Sequence, residues 1–392
     1  MTPGAVSDRV GLYFGLMQLF FGLSWVIYVV YLPQLAAEAG IGAGAVSWIL
    51  LMDQVIFVLC DWAAGVASDR AAGIIGRLGT FVAGITAISA LAFLLLPLVA
   101  GVGPSLFLVL TVSWAVTSSA LRAPAMTLLG RYTPADRQPR VSALFLLGVG
   151  ASSTVAPFLG DWLTEYDPRI MFALSAIAVV AVTASIVWAE KTLARSAPVA
   201  KPSGPGIRLP RFLGFLAAVL LLATAFQVHA FINSESLFGK LAQPAALPYL
   251  LSLFWIGFST LMVPASALTK RFGGVTVMAA GALIAAASAC VSVLATDVVV
   301  LSVAQFLCGG AWGAVTMSAS AAALRLGHPG SEGKTVGAMY SVMAVAAVGR
   351  IAVVAADFEN LSVPTLSWLP VIAWSVAGLV LMAAARQSAE PA

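Results

Sequence analysis

Charge is scarce in this chain. Asp, Glu, Lys and Arg make up 9% of its 392 residues, and 61% are hydrophobic. Soluble domains carry about 25% charged residues, so the composition alone reads as a membrane protein. The net charge of +4 comes without a basic run interleaved with aromatics, which excludes a nucleic-acid partner. Cysteine is nearly absent. Cys60, Cys290 and Cys308 lie in apolar segments with neither metal-ligand spacing nor a disulfide framework, so they read as small core residues. There are two histidines, His229 and His328, far apart in sequence. No His-Glu-x-x-His or Gly-x-Ser-x-Gly pattern occurs, so intramembrane metalloprotease and serine-hydrolase chemistry lack their residues. No Walker A loop is present, which removes ATP as a direct energy source. The chain is expected to be no enzyme and to need no metal or cofactor.

What is abundant is apolar sequence in long runs. About 20 apolar residues cross a bilayer as a helix. Twelve such segments are predicted at 10–34, 45–68, 75–100, 104–128, 139–163, 168–190, 211–234, 245–269, 274–295, 298–324, 335–357 and 364–386. The first is too long for a signal-peptide core and reads as a retained span. Pro33, Pro104, Pro168 and Pro364 sit near span ends, where a missing N–H is tolerated. Pro97, Pro124, Pro157, Pro264 and Pro370 fall within spans and predict kinks.

Basic residues set the orientation. With the N-terminus inside, sixteen of the twenty Lys and Arg fall on the cytoplasmic side. Arg169 and Lys240 fall outside, and Arg122 and Arg350 lie within spans. That bias satisfies the positive-inside rule with both termini cytoplasmic. The longest polar stretch, 191–210, is rich in Pro, Gly and basic residues and reads as a cytoplasmic linker. It divides the chain into a six-helix bundle at 1–190 and a second at 211–392. The halves echo each other weakly, as a duplication requires: Gly65…Asp69-Arg70 follows span two, and Ser266…Lys270-Arg271 follows span eight.

Span two holds the most informative residues, Asp53 and Asp61, before it leaves through Gly65-Val66-Ala67-Ser68-Asp69-Arg70. A carboxylate within a span costs roughly 2.5–3.5 kcal/mol on insertion scales, so intramembrane acids are functional by default. Asp61 lies about seven residues from the inner end, roughly 10 Å deep. Arg122 lies at a similar depth in span four. Pairing them lowers the cost of both and makes Asp61 structural; left alone, Asp61 is a proton site. Asp53 sits near mid-span with no basic residue of its own half at that depth. Arg350 in span eleven does lie near that depth, which predicts an Asp53–Arg350 contact between the halves when the outer side is closed. The alternative is that Arg350 snorkels outward.

Twelve spans in a 6+6 arrangement, a basic central loop and the Gly65…Asp69-Arg70 exit resemble the major facilitator superfamily over the whole chain. The usual continuation of that loop is stretched here to Ala71-Ala72-Gly73-Ile74-Ile75-Gly76-Arg77. The resemblance implies two six-helix bundles around a central cavity, with Gly65, Asp69, Arg70 and Arg77 forming a cytoplasmic latch near the start of span eleven. Leu121-Arg122-Ala123-Pro124, continuing to Tyr132-Thr133-Pro134-Ala135-Asp136-Arg137, is similar to the span-four exit of drug-exporter-like members. Pro157-Phe158-Leu159-Gly160 resembles part of the span-five motif of antiporters. Asp61-Trp62-Ala63-Ala64-Gly65 is similar instead to sugar symporters of the melibiose-permease type, which use acids in this span for cation coupling. The two resemblances point in opposite transport directions.

The expectation is therefore a monomeric secondary transporter in a bilayer, placed by its short loops and Ala-rich composition in a bacterial inner membrane. It moves a small organic solute by alternating access, with proton antiport and efflux favoured. Proton- or sodium-coupled uptake of a sugar-like solute is the runner-up. A transporter-like assembly factor without turnover is the reading from another class. Gln18, Trp25 and Tyr28 of span one, Gln227 and His229 of span seven, and Gln305 and Trp312 of span ten are expected to line the cavity. His229 also reads as an ordinary hydrogen-bonded interior residue. Asp161, Glu165, Asp357 and Glu359 read as outer-face residues.

Overall fold

Twelve apolar helices account for the architecture of the computed structural model, which describes residues 8–71, 77–119, 122–194, 209–326, 330–356 and 363–387. Spans one to six run over Asp8–Glu38, Ala43–Arg70, Gly79–Val102, Pro104–Tyr132, Gln138–Gly160 and Pro168–Lys191. Spans seven to twelve run over Leu209–Gly239, Pro244–Phe272, Gly274–Leu294, Val298–Leu326, Glu332–Ala355 and Leu366–Arg386. Each is long and apolar enough to cross a membrane. All twelve predicted segments are found, and no strand occurs among the described residues. The linker expected at 191–210 falls largely outside the described residues, as do Asp357 and Glu359.

Helix starts follow from local chemistry. Asp167 accepts from Arg169 N–H at 2.8 Å ahead of span six, and Pro168 occupies its first turn. Asp297 accepts from Val299 and Val300 N–H, both at 2.9 Å, ahead of span ten. These carboxylates satisfy donors that a helix start leaves unpaired.

Of the prolines within spans, only Pro124 coincides with a break in the helix. Helix runs unbroken through Pro157, Pro264 and Pro370. Span four does break, with Arg122 preceding a new helix at Ala123–Tyr132. Pro124 stands in the first turn of this new helix, where its missing N–H is tolerated. Span six breaks at Ser185, and span seven carries a π-helical turn at His229–Asn233. Neither irregularity has a proline near it.

The spans form two bundles. In the first, span one packs on spans five and six, and span three on spans four and six. In the second, span nine packs on spans ten and twelve, and span seven on spans eleven and twelve. Two seams join the bundles: span two runs along span eleven, and span five along span eight. Lipid gives no hydrophobic drive for helices to associate, so seams of this kind rely on close backbone approach. Spans two and eleven supply it with three glycines. A Cβ on Gly65 would strike the Gly333 carbonyl, and one on Gly337 would strike the Asp61 carbonyl and Trp62 Cα.

This seam gives a direct test. Gly337→Leu inserts a side chain into the backbone of span two, an overpacking error on the 1–3 kcal/mol scale. The purified variant is expected to melt roughly 5 °C or more below the parent. Gly84→Leu serves as the control, because a Cβ at Gly84 meets nothing within 4 Å. Equal melting temperatures for the two variants would remove the glycines from the account of the seam.

Candidate functional site

At the end where span one begins and span twelve finishes, Asp69 reaches from span two to the start of span eleven. Its Oδ1 accepts from Gly333 N–H at 2.7 Å and its Oδ2 from Lys334 N–H at 2.8 Å. Span eleven begins at Glu332, so these two N–H groups have no partner within their own helix. A carboxylate from the other bundle caps them and meets the positive end of the helix dipole. Gly65 lies one turn before Asp69 and allows the approach. Arg70 is exposed. Arg77 opens the helix of span three, but its side chain lies outside the described residues. The second seam carries Lys270 Nζ 3.1 Å from Asp136 Oδ2, a pair more than half exposed on both sides.

About two turns deeper, Asp61 meets Arg122, with Nη2 3.0 Å from Oδ1. Asp61 is fully buried, and the Arg122 side chain is 20% exposed. Neither carboxylate oxygen nor Arg122 Nε or Nη2 has hydrogen-bond geometry to a partner, so the contact is electrostatic rather than a bidentate fork. The guanidinium also stands 4.2 Å over the ring of Phe57. The break before Pro124 turns Arg122 out of helical register toward span two. Tyr340 of span eleven has a buried hydroxyl without a partner among the described residues, one turn along from the Gly337 contact. Sequence reasoning missed Tyr340, which carries no signal beyond a tyrosine in an apolar span.

Asp53 is also fully buried. Its Oδ2 accepts from Tyr28 Oη at 2.7 Å, and its Oδ1 has no partner. Trp114 and Trp25 stack at 5.9 Å, and the Tyr28 ring sits 4.6 Å from Trp114. The carboxylate therefore lies beside an aromatic cluster contributed by spans one and four.

The Asp53–Arg350 contact expected when the outer side is closed is not formed in this structure. Arg350 Nε donates instead to Gln227 Oε1 of span seven at 2.8 Å, and its guanidinium lies 4.8 Å over Phe231. Helix register explains the difference. The alignment that sets Gly65 against Gly333 and Asp61 against Gly337 places Asp53 level with Val345. Arg350 is five residues further along, about 7.5 Å by helix rise. Depth counted from span ends was too coarse to see this offset.

The expected single cavity lining also divides. Gln18, Tyr28, His229, Gln305 and Trp312 are each at most 3% exposed, so they belong to packed interiors. Trp25 and Gln227 keep partial exposure. Trp312 stacks on Phe226 at 4.5 Å. His229 Nε2 lies 3.2 Å from Gln305 Oε1, which also accepts from Ser234 Oγ at 3.3 Å. Ser234 Oγ in turn lies 2.8 Å from the His229 carbonyl, beside the π-helical turn. His229 is thus the hydrogen-bonded interior residue that formed one of its two readings. A cavity of about 880 Å³ opens where span seven begins and span twelve finishes, beside Arg211 and Arg325, and is lined by none of the acidic residues of span two. No cluster of potential metal ligands occurs among the described residues.

Comparison with known proteins places this geometry. The human organic anion transporter MFSD10 (TETRAN) superposes with a TM-score of 0.73 at 14% identity, over 97% of this chain and 100% of that one. A bacterial homologue of the iron transporter ferroportin, in an outward-facing state, gives 0.75 at 12% identity, over 96% and 99%. The E. coli fucose:proton symporter FucP gives 0.67 at 16% identity, over 98% and 99%. At such identities the likeness is one of fold. No curated protein sequence matches the chain. The family model of the Major Facilitator Superfamily matches residues 14–349, which take in the first bundle and most of the second, and the chain belongs to that superfamily of secondary transporters.

Proposed function

We propose that the protein exports a small organic solute across a bacterial inner membrane in exchange for protons, with both termini in the cytoplasm. The observation that carries the coupling is Asp53. It is a fully buried carboxylate within a span, held by one neutral hydroxyl, with one oxygen unsatisfied and no basic partner among the described residues. Such a group takes up and releases a proton as its surroundings change, whereas a carboxylate neutralised by a guanidinium is held in one state. Asp61 is the neutralised one, and its pairing with Arg122 weighs against the symporter-like role of the Asp61…Gly65 pattern. Export rather than uptake rests on the resemblance of the span-four exit and of Pro157…Gly160 to exporter motifs. The cytoplasmic placement of the termini rests on the basic residues gathered at that end.

In this scheme Asp69 closes the cytoplasmic end by capping span eleven, and its release accompanies opening to the inside. Asp61 and Arg122 keep spans two and four together through the cycle. Proton binding at Asp53 frees or engages Tyr28 and the aromatic cluster beside it, so the first bundle reports its protonation state through ring packing. Rocking of one bundle on the other then exposes the solute to each side in turn.

A library compound that raises the melting temperature of the purified protein supplies the transport probe. Added to energised everted vesicles, it is expected to dissipate lumenal acidity, and Asp53→Asn is expected to abolish that response while the protein still binds the compound. Tyr28→Phe should slow the response about tenfold, the scale of one hydrogen bond lost at about 1.4 kcal/mol. An Asp53→Asn variant that still exchanges protons at the parental rate would sink the assignment. Probe accumulation driven with the proton gradient, rather than against it, would reverse the direction to symport.

The division of labour between the two acids has its own test. Asp61→Asn strands the Arg122 guanidinium and is expected to cost roughly 3 kcal/mol of stability. The double variant Asp61→Leu/Arg122→Leu should recover most of that loss in melting temperature. A double variant no more stable than Asp61→Asn would show that the pair is more than a mutual neutralisation.

A further inference from the structure

Arg350 is a cation without a described anion. Among the described residues no carboxylate lies within ion-pair distance of it. Its Nε is spent on the neutral Gln227 amide, and no described residue takes up the four remaining N–H donors on its Nη nitrogens. It does not snorkel along its own helix, because Gln227 and the Phe231 ring draw the guanidinium toward span seven.

The location of Phe231 shows what the guanidinium faces. Its ring lies under Arg350 of span eleven and 6.4 Å from Trp255 of span eight. Span eleven forms one seam with the first bundle and span eight forms the other. A side chain touching both stands between the seams, on the face the second bundle turns toward the first, and not on the lipid face. Phe231 is nevertheless 48% exposed, so the space in front of it is open. Phe226 and Trp255 extend the aromatic surface on one side. A guanidinium fixed at one edge, aligned by an amide and backed by rings, matches a solute with one negative head group and an apolar body.

We propose that Arg350, aligned by Gln227 and Phe231, docks the anionic group of the transported solute, which makes the substrate class a small organic carboxylate or sulfonate. The proposal rests on the transporter reading but on neither its direction nor its coupling ion.

The test needs no identified substrate. In a full-length protein with Cys60, Cys290 and Cys308 changed to Ala, Phe231→Cys is labelled with a sulfonate-bearing methanethiosulfonate and with its trimethylammonium counterpart. Arg350→Gln is expected to lower the ratio of sulfonate to trimethylammonium rates about tenfold, the scale of one nearby unit charge in a partly aqueous space. Arg350→Lys, which keeps the charge, should hold the ratio within about threefold of the parent and guards against a folding artefact. A ratio unmoved by Arg350→Gln overturns the proposal, as does an introduced thiol that neither reagent reaches. A transported compound later found to carry no negative charge overturns it as well. Failure of the proton assay at Asp53 with the labelling ratio intact would touch only the coupling assignment.

Discussion

Two hydrogen bonds from one carboxylate hold the seam on which the rest depends. Asp69 supplies, from span two, the cap that span eleven lacks at its own start. A helix start within one bundle is thereby completed by the other bundle. The three glycines beside it make the bonds possible, since a single Cβ at Gly65, Gly333 or Gly337 would hold the helices apart. The seam is polar, short and reversible: releasing it leaves exposed N–H groups that water can satisfy at the membrane surface. A hydrophobic seam of the same area would have no comparable partner waiting in water.

Deeper in the same helix, the two remaining acids of span two are separated by what neighbours them. Asp61 finds Arg122 where the helix of span four restarts at Ala123, with Arg122 as the non-helical residue ahead of it. Asp53 finds only the Tyr28 hydroxyl beside an aromatic cluster. Two carboxylates eight residues apart on one span thus have unlike chemistry. One is neutralised in place, and the other has an unsatisfied oxygen whose state depends on what reaches it.

How much of this was legible in the sequence depended on length scale. The twelve spans were legible, because a run of about 20 apolar residues is a signal that no local detail overrides. The Asp61–Arg122 pair was legible too, since both residues lie a similar distance from the same membrane face. The Asp53–Arg350 contact, expected when the outer side is closed, is not formed in this structure, and depths judged from the outer span ends do not resolve an offset of about five residues. The π-helical turn at His229–Asn233 left no trace: no proline or glycine marks it, and its stabilising contact between Ser234 and Gln305 spans two helices. Phe231, one of many apolar residues in span seven, gained meaning only when Arg350 and Trp255 were seen on either side of it.

The second seam extends the argument, because it repeats the first with the signs exchanged. Span two reaches the other bundle with an acid, Asp69, whereas span eight at the matching position reaches it with a base, Lys270. Asp69 meets fixed backbone dipoles at short range, which salt screens little. Lys270 meets a flexible Asp136 side chain in an exposed pair, where screening and side-chain entropy leave little net attraction. The duplicated halves therefore do not share the closing interaction equally. Of these two contacts the dominant one lies on the span two–span eleven side, and those two helices also carry Asp53, Asp61 and Arg350. The stronger of the two contacts therefore lies on the helices that also hold the buried charges.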